Sequence, residues 1–378
     1  MLQRLEVKNF LALRDVSIDL EPFTVIVGPN ASGKSTILEA LHRLCMLKAG
    51  QSAVLISGTE LLDRPGQTIE KSSPAEILAW KAEPIIILKT ITSIGEVRVV
   101  FTLTDVSSDD WNFSLRTDFQ KDFPETQLHN FDGYLQALPF GLDKLVPNSI
   151  KLHPNSQKMS LASSSPLPKP ILEQDGAGLA TVCANIQQIS PDVFSRIQES
   201  LQKLIPSFVR FRIQRANATA KNFVNGEALS SWTGIAEELI FDFTDAVGVP
   251  AKHVSEGTLL ALCILTAAAR FEDEAVVFID DLERGLHPKA VHDLVKTLRE
   301  LQKINPKLQI IATSHSPYVL DELEPHEVRV VTRDSDLGTV VGKLSDHPNF
   351  EKWKDAMLPG EFWSHVGEDW LLKQTQNA

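Results

Sequence analysis

The run Gly28-Pro29-Asn30-Ala31-Ser32-Gly33-Lys34-Ser35-Thr36 carries the residue types that polyphosphate chemistry requires. Glycines at 28 and 33 let backbone N–H groups close around phosphate oxygens, and a following helix would turn its positive end toward the same charge. Lys34 can reach the β- and γ-phosphates, and the Ser35 hydroxyl can ligate Mg²⁺. Gly28, Asn30, Ala31, Ser32, Gly33, Lys34, Ser35 and Thr36 are therefore the expected nucleotide-binding residues, with ATP and Mg²⁺ as the implied ligands.

Three further stretches have chemistry to offer. Val276-Val277-Phe278-Ile279 reads as a buried strand that ends in Asp280 and Asp281. One such carboxylate can hold the Mg²⁺ shell, as the metal partner of Ser35, and its neighbour can orient an attacking water. Ser314-His315-Ser316-Pro317 follows the apolar run Leu308–Thr313. A histidine just past a strand tip can hydrogen-bond a γ-phosphate or the catalytic acid, and otherwise reads as a turn residue. Val254-Ser255-Glu256-Gly257-Thr258 opens an apolar helix to Phe271, where Ser255 is either a plain N-cap or part of a second anion-binding helix start. Lys34, Asp281 and His315 are the expected catalytic residues.

The elements that must position these groups are legible in outline. Phe23–Val27 is a β-branched strand, and Ile37, Leu38, Leu41, Leu44 and Cys45 recur at helical spacing behind the loop. Strands are expected at 2–10 and 16–20, and three more at 84–92, 95–104 and 111–119, the middle one alternating like a half-buried antiparallel strand. Residues 50–75 read as an irregular connection, and 120–170 show no sustained periodicity, with a Pro/Ser-rich stretch at 154–170. Helices are expected from Asp175 to about Gln188 and from Asp192 to Ile205. Val291, Leu294, Val295, Leu298 and Leu301 mark another after the Asp pair. The expected fold class is α/β, a mixed α+β lobe beside a parallel P-loop sheet, with no heptad run that would build a long coiled coil. Arg210 and Arg212 lie on one face of a strand at 208–215, either as a phosphate-facing ridge or as a solvated edge.

Composition bounds the function. The 378 residues carry 37 Lys and Arg against 49 Asp and Glu, a net charge of −12, which argues against indiscriminate binding of nucleic acid through a wholly basic surface. Cys45, Cys183 and Cys263 are isolated, without metal-ligand spacing, and are expected as buried thiols. The opening MLQRLEVKNF has no signal-like apolar core, and Leu259–Ala269 is too short to span a bilayer, so a cytoplasmic protein without a membrane partner is expected.

In the order GPNASGKST, SEGTLLAL, VVFIDDLERGLHP, ATSHSP, the chain resembles the ABC-type ATPase heads of the SMC/RecF and OLD-like group. Within that group it is most similar to AAA-family, ABC-like ATPases of phage defence and DNA maintenance. DGAGLA at 175–180 and IPSF at 205–208 are similar too. The resemblance implies that Gly28 to Thr36 form the Walker A loop and that Ser255 and Gly257 belong to the signature, acting in trans on the nucleotide of a second chain. Asp280 would be the Walker B acid, Asp281 the catalytic base, His315 the switch histidine, and Glu283 to Pro288 the D-loop segment. It also implies a homodimer, or a higher homo-oligomer, through shared ATP sites, whose ATP cycle controls either a separately encoded effector protein or a grip on DNA. The base position, usually Glu in the family, holds Asp281 here, which implies slow hydrolysis or a clamp with negligible turnover. No glutamine has a convincing Q-loop context, Gln174 and Gln214 included.

The expected organisation is an ATPase domain over 1–345: an N-terminal lobe at 1–120, an irregular or helical insertion at 121–205 and a C-terminal lobe at 206–345. A tail at 346–378 carries Trp353, Phe362, Trp363 and Trp370, as a docking surface for a partner or as a helix packed on the core. About sixty residues follow His315, too few for the nuclease domain that continues many OLD proteins, so effector chemistry is expected from another chain. An energising subunit of a transporter is the remaining reading, and the antiparallel lobe and the Leu286-His287-Pro288 turn speak against it.

Overall fold

The structure, a computed structural model, describes residues 1–46, 85–92, 96–103, 111–117, 126–128, 148–165, 167, 169–224, 227–271 and 273–376. The expected connection at 50–75, and 120–147 apart from 126–128, lie outside the described residues. The chain divides into two units. One is formed by Met1–Lys151, Asp273–Asp280 and Lys307–Ala378, and the other by Leu152–Glu272 and Asp281–Pro306.

The first unit holds two sheets. In the antiparallel one, β1 (Leu2–Phe10) lies between β2 (Leu13–Asp19) and β4 (Ile85–Thr92), and β5 (Glu96–Leu103), β6 (Trp111–Thr117) and β7 (Thr126–Leu128) follow in order. The three consecutive strands expected at 84–119 are β4, β5 and β6, each antiparallel to the next.

The second sheet has the order β15 (Gly338–Lys343), β14 (Val328–Asp334), β3 (Phe23–Val27), β13 (Leu308–Ser314), β12 (Ala275–Ile279), β8 (Asn148–Leu152). β14, β3, β13 and β12 run parallel, and β15 closes one edge antiparallel. Parallel strands covered on both faces require near-continuous apolar sequence, and every residue of β3, β12 and β13 is buried. β8 falls in the stretch that reads as irregular from sequence. Ile150 and Leu152 do alternate inward, but a five-residue strand is too short to show a period.

Helix α1 (Lys34–Met46) starts directly after the phosphate loop. Its Ile37, Leu38, Leu41 and Leu44 join Leu5, Val7, Phe10 and Ile18 of the antiparallel sheet and Val276, Phe278, Ile311 and Val331 of the parallel sheet in one core. Gln309, fully buried in β13, accepts from the Leu2 amide at 2.9 Å and donates to the Leu2 carbonyl at 2.8 Å. A side-chain amide thus ties the start of β1 to an interior strand of the other sheet.

The second unit contains α2 (Leu179–Ile189), α3 (Pro191–Leu204), the antiparallel pair β9 (Phe208–Val224) and β10 (Glu227–Phe243), β11 (Val249–Pro250), α4 (Glu256–Ala269) and α5 (Pro288–Ile304). α4 is buried from Gly257 to Ala269, as expected for a helix that is apolar on every side. α3 and α5 pack against it, and Phe194, Phe208, Phe211, Phe241 and Phe243 make ring contacts beside them. Among the described residues no helix is longer than the 17 residues of α5, and none is long and apolar enough to cross a membrane.

Arg210 and Arg212 form neither a free ridge nor a purely solvated edge. Arg210 donates from Nε to Oδ2 of Asp242 at 2.8 Å, and Arg212 donates to Oδ1 at 2.9 Å. Arg210, the Gly248 amide and Arg212 hold the Asp242 carboxyl well below the usual carboxylate range. The three cysteines are buried and free, and burial pushes the Cys183 thiol up to about 12.

The last described helices are α6 (Pro359–Val366) and α7 (Asp369–Gln376). Phe362 and Trp370 are buried, both edge-on to His347 with centroids 5.2 Å apart. Trp363 donates from its indole to Glu368 at 3.1 Å. Half of the aromatic cluster in the tail is therefore packing.

Candidate functional site: the phosphate loop and its carboxylate

β3, an interior strand, delivers the chain to Gly28 at its carboxyl end, and the loop must return into α1 within a few residues. That path needs left-handed backbone at Gly28 (φ 152°), Ala31 (φ 60°) and Gly33 (φ 104°). Space is as restrictive as torsion. A Cβ on Gly28 would lie 2.0 Å from the Val331 carbonyl oxygen, and one on Gly33 would lie 2.3 Å from the Thr339 hydroxyl. Thr339 lies within bonding distance of the Ser32 carbonyl at 2.9 Å and of the Ala12 carbonyl at 3.1 Å. The loop is thus held from below by β14 and β15.

Lys34 is buried and folds back over the loop, donating to the carbonyls of Gly28 at 2.9 Å and Pro29 at 2.8 Å. The Ile37 amide donates to the Gly33 carbonyl at 3.0 Å and closes the first turn of α1. The hydroxyl of Ser32 is buried and has no hydrogen-bond partner among the described residues. A buried donor left in this way costs free energy unless a ligand supplies an acceptor, and a phosphate oxygen is one. Asn30, Ala31 and Ser35 are exposed and Thr36 is half-buried.

Ser35 and Asp280 are 245 residues apart in sequence and meet in space. The Ser35 hydroxyl donates to Oδ1 of Asp280 at 3.0 Å, and the Thr313 hydroxyl donates to the same oxygen at 2.6 Å. Adjacent ligands of an octahedral Mg²⁺ at about 2.05 Å stand about 2.9 Å apart, so a hydroxyl and a carboxylate at this spacing fit the ion. Among the described residues no group of three or more His, Cys, Asp or Glu side chains could hold a metal ion. Mg²⁺ would therefore depend on phosphate oxygens for much of its shell, the usual arrangement for this ion.

His315 lies just past β13, whose Thr313 and Ser314 pair in register with Ile26 and Val27 of β3. The Ser314 hydroxyl accepts from the Ser316 amide at 2.9 Å and shapes the turn, and the His315 side chain is exposed. Asp281 follows Asp280 with left-handed backbone, φ 56°, and its carbonyl accepts from the Arg284 amide at 3.0 Å.

Ser255 and Gly257 belong to the second unit. Ser255 is the N-cap of α4, accepting from the Thr258 amide at 3.3 Å. Gly257 packs on Gly285, and Glu256 pairs with Arg284 at 3.2 Å. Thr313, Thr339 and Val331 are missing from the sequence-based set. Thr313 precedes His315 by two and carries a recognisable polar signal inside an apolar strand. Thr339 and Val331 act across some 300 residues, and no local pattern points to them.

A family model described as "AAA domain, putative AbiEii toxin, Type IV TA system" matches residues 23–321, which include the phosphate loop, Ser255, Gly257, Asp280, Asp281, Thr313 and His315. The chain belongs to this AAA domain family. The Septu protein PtuA of Bacillus mycoides (strain KBAB4) is 22% identical to it, over 96% of this chain and 44% of that protein. The chain thus spans less than half the length of that relative. An OLD nuclease of Thermus scotoductus is 58% identical over 41 residues, which is 11% of this chain and 8% of the nuclease. An SMC head solved with the C-winged helix domain of ScpA matches 91% of this chain and 98% of its own, at 14% identity and a TM-score of 0.57. A Pyrococcus furiosus Smc head bound to the C-terminal domain of ScpA matches 94% and 99%, at 12% identity and a TM-score of 0.54. The fold is that of an SMC-type head.

Proposed function

We propose that this chain binds and hydrolyses ATP with Mg²⁺ as an ATP-sandwich dimer, and that its cycle gates a partner effector or DNA binding in antiviral defence or DNA repair. The observation that carries the ATPase reading is the single carboxylate oxygen of Asp280, approached by Ser35 at 3.0 Å and Thr313 at 2.6 Å beside the phosphate loop. The loop amides and Lys34 hold the phosphates, and Lys34 exchanges its two backbone carbonyls for phosphate oxygens. Ser35 and Asp280 hold Mg²⁺, which when bound neutralises charge on the β- and γ-phosphates. Asp281 orients the attacking water, and His315 bonds the γ-phosphate. Ser255 and Gly257 of a second chain complete each site, with the amides at the start of α4 facing the same phosphate.

The printed names of the family and of two relatives, a type IV toxin–antitoxin system, a Septu protein and an OLD nuclease, support a defence setting. The test is phosphate release by wild type, Lys34→Ala and Asp281→Asn in Mg²⁺ and in EDTA. Release confined to the wild type in Mg²⁺ is expected. Equal release by all three would contradict the reading.

One observation favours a second reading, an ATP-dependent clamp with negligible turnover. The base position carries the shorter carboxylate on left-handed backbone. Binding of ATP without measurable release in a single turnover would establish it.

A further inference from the structure

His315 stands on a short piece of chain that is held at both ends. On one side Thr313 and Ser314 are fixed in the parallel sheet beside β3. On the other the chain makes one helical turn, Pro317–Leu320, whose Val319 and Leu320 are fully buried. The second anchor is made by the C-terminal tail. Gly360, in the first turn of α6, lies so close to this turn that a Cβ there would sit 2.1 Å from the Pro317 carbonyl oxygen and 2.6 Å from Oδ1 of Asp321. Its amide donates to that same Asp321 oxygen at 3.0 Å. Only a glycine allows this backbone-on-backbone seat.

The strap that carries Gly360 is itself anchored. Phe362, two residues on, is 2% exposed and meets the His347 ring, which also meets Trp370 of α7. Trp370 and Leu371 in turn cover Gly342 of β15, where a Cβ would lie 2.4 Å from the Leu371 side chain. A continuous set of packed contacts therefore runs from α7 to the residue two positions past His315. Close-packed interiors have low compressibility and transmit strain between the groups in contact.

We propose that Gly360 and Asp321 are positioning residues for His315, and that the tail α6–α7 sets the rate of ATP turnover through them without touching the nucleotide. This rests on the role given to His315 above. Mechanically, a shift of α6 moves the Pro317 carbonyl, and the exposed His315 imidazole moves with it. A partner that grips the tail would then reach the γ-phosphate end of the site through the main chain.

The test is single-turnover and steady-state ATP hydrolysis by wild type, Gly360→Ala, Asp321→Ala and Asp321→Asn, with ATP binding measured on each protein. Gly360→Ala and Asp321→Ala are expected to lower kcat tenfold or more, with KM and ATP affinity within twofold of wild type. Asp321→Asn keeps an acceptor for the Gly360 amide and is expected to restore most of the rate. In a His315→Ala background, Gly360→Ala is expected to cause no further loss. Unchanged kcat in both damaging variants overturns the proposal, as does an equal loss with and without His315, or loss of ATP binding together with turnover. A wild type that binds ATP but releases no phosphate overturns the ATPase reading and this inference with it. Wild-type turnover with indifferent variants overturns this inference alone.

Discussion

A Cβ on Gly257 would lie 2.3 Å from the carbonyl oxygen of Gly285, so the first turn of α4 rests directly on the turn after Asp281. The neighbouring Glu256–Arg284 pair, at 3.2 Å with both side chains 41% exposed, adds little by comparison. Backbone packing sets the seat. Gly257→Ala is predicted to destabilise the protein by about 1–3 kcal/mol through overpacking, read as a lower urea midpoint with unchanged slope. Arg284→Ala should cost less than about 1 kcal/mol.

Asp280 depends on a residue that lies outside the expected set. Thr313→Val keeps the β-branched shape that β13 needs and removes a buried hydroxyl donor to a carboxylate, an interaction of about 1.5–3 kcal/mol. ATP titrated in Mg²⁺ should bind more than about tenfold more weakly than to wild type, and ATP titrated in EDTA equally well, since a loss of about 1.5 kcal/mol or more falls on the Mg²⁺ shell alone. Equal weakening in both buffers would place Thr313 in the fold and not in the metal site.

Much of this arrangement was legible in the sequence because its signals are local. The phosphate loop, β12 with its acids, the helix of Val291 to Leu301 and the Ser314-His315 turn are contiguous runs whose residue types carry the argument. The serine cap of α4 was equally plain. β14 and β15 were missed although Val328-Arg329-Val330-Val331 is a strand-like run, because Arg329 looks like a surface residue. In the fold it is 1% exposed and donates from Nε to the Asp19 carbonyl at 2.7 Å. The reach of the β9–β10 pair was missed beyond residue 215, since Ala216, Asn217, Ala218 and Ala220 have weak strand preference and Thr219 alone among them favours a strand. Asn225-Gly226, between the two strands, is the hairpin signal that could have revealed it. Contacts made by backbone on glycine, at Gly257 and Gly360, leave no trace that one sequence can show.

The left-handed backbone at 281, φ 56°, gives a physical reason for the short acid there. Asp and Asn tolerate this conformation better than longer side chains do. Asp281→Asn should therefore leave thermal stability unchanged while lowering kcat by a factor of about 100 or more, as loss of a water-orienting base does. Asp281→Glu should cost about 1 kcal/mol of stability. Single-turnover hydrolysis beside thermal melts checks both.

His42 lies inside α1, edge-on to Phe278 of β12 with centroids 5.9 Å apart. Burial holds its imidazole down at about 4, against 6.5 in an open chain, while Glu39 pulls it up and Lys151 and Arg43 push it down. The unfolded chain takes up this proton first on acidification, so the associated stability is full above pH 6.5 and is lost as pH falls toward 4. The gap corresponds to about 3 kcal/mol at most. Glu39 is itself buried, which raises its pKa, but Lys151 and Arg43 bring it down to about 2, so its loss begins only below about 4.5. Melting temperatures of wild type should fall between pH 6.5 and 5, and those of His42→Phe should fall less. Parallel curves would contradict the assignment.

The shared-site dimer is tested most directly by the solution mass of Asp281→Asn protein with and without Mg-ATP, beside the same protein carrying Ser255→Arg. Mg-ATP is expected to convert monomer to dimer, or to tighten an existing dimer, and Ser255→Arg is expected to abolish the response while ATP binding persists. A mass that ignores ATP in both proteins would contradict the sandwich and leave only a nucleotide-binding head.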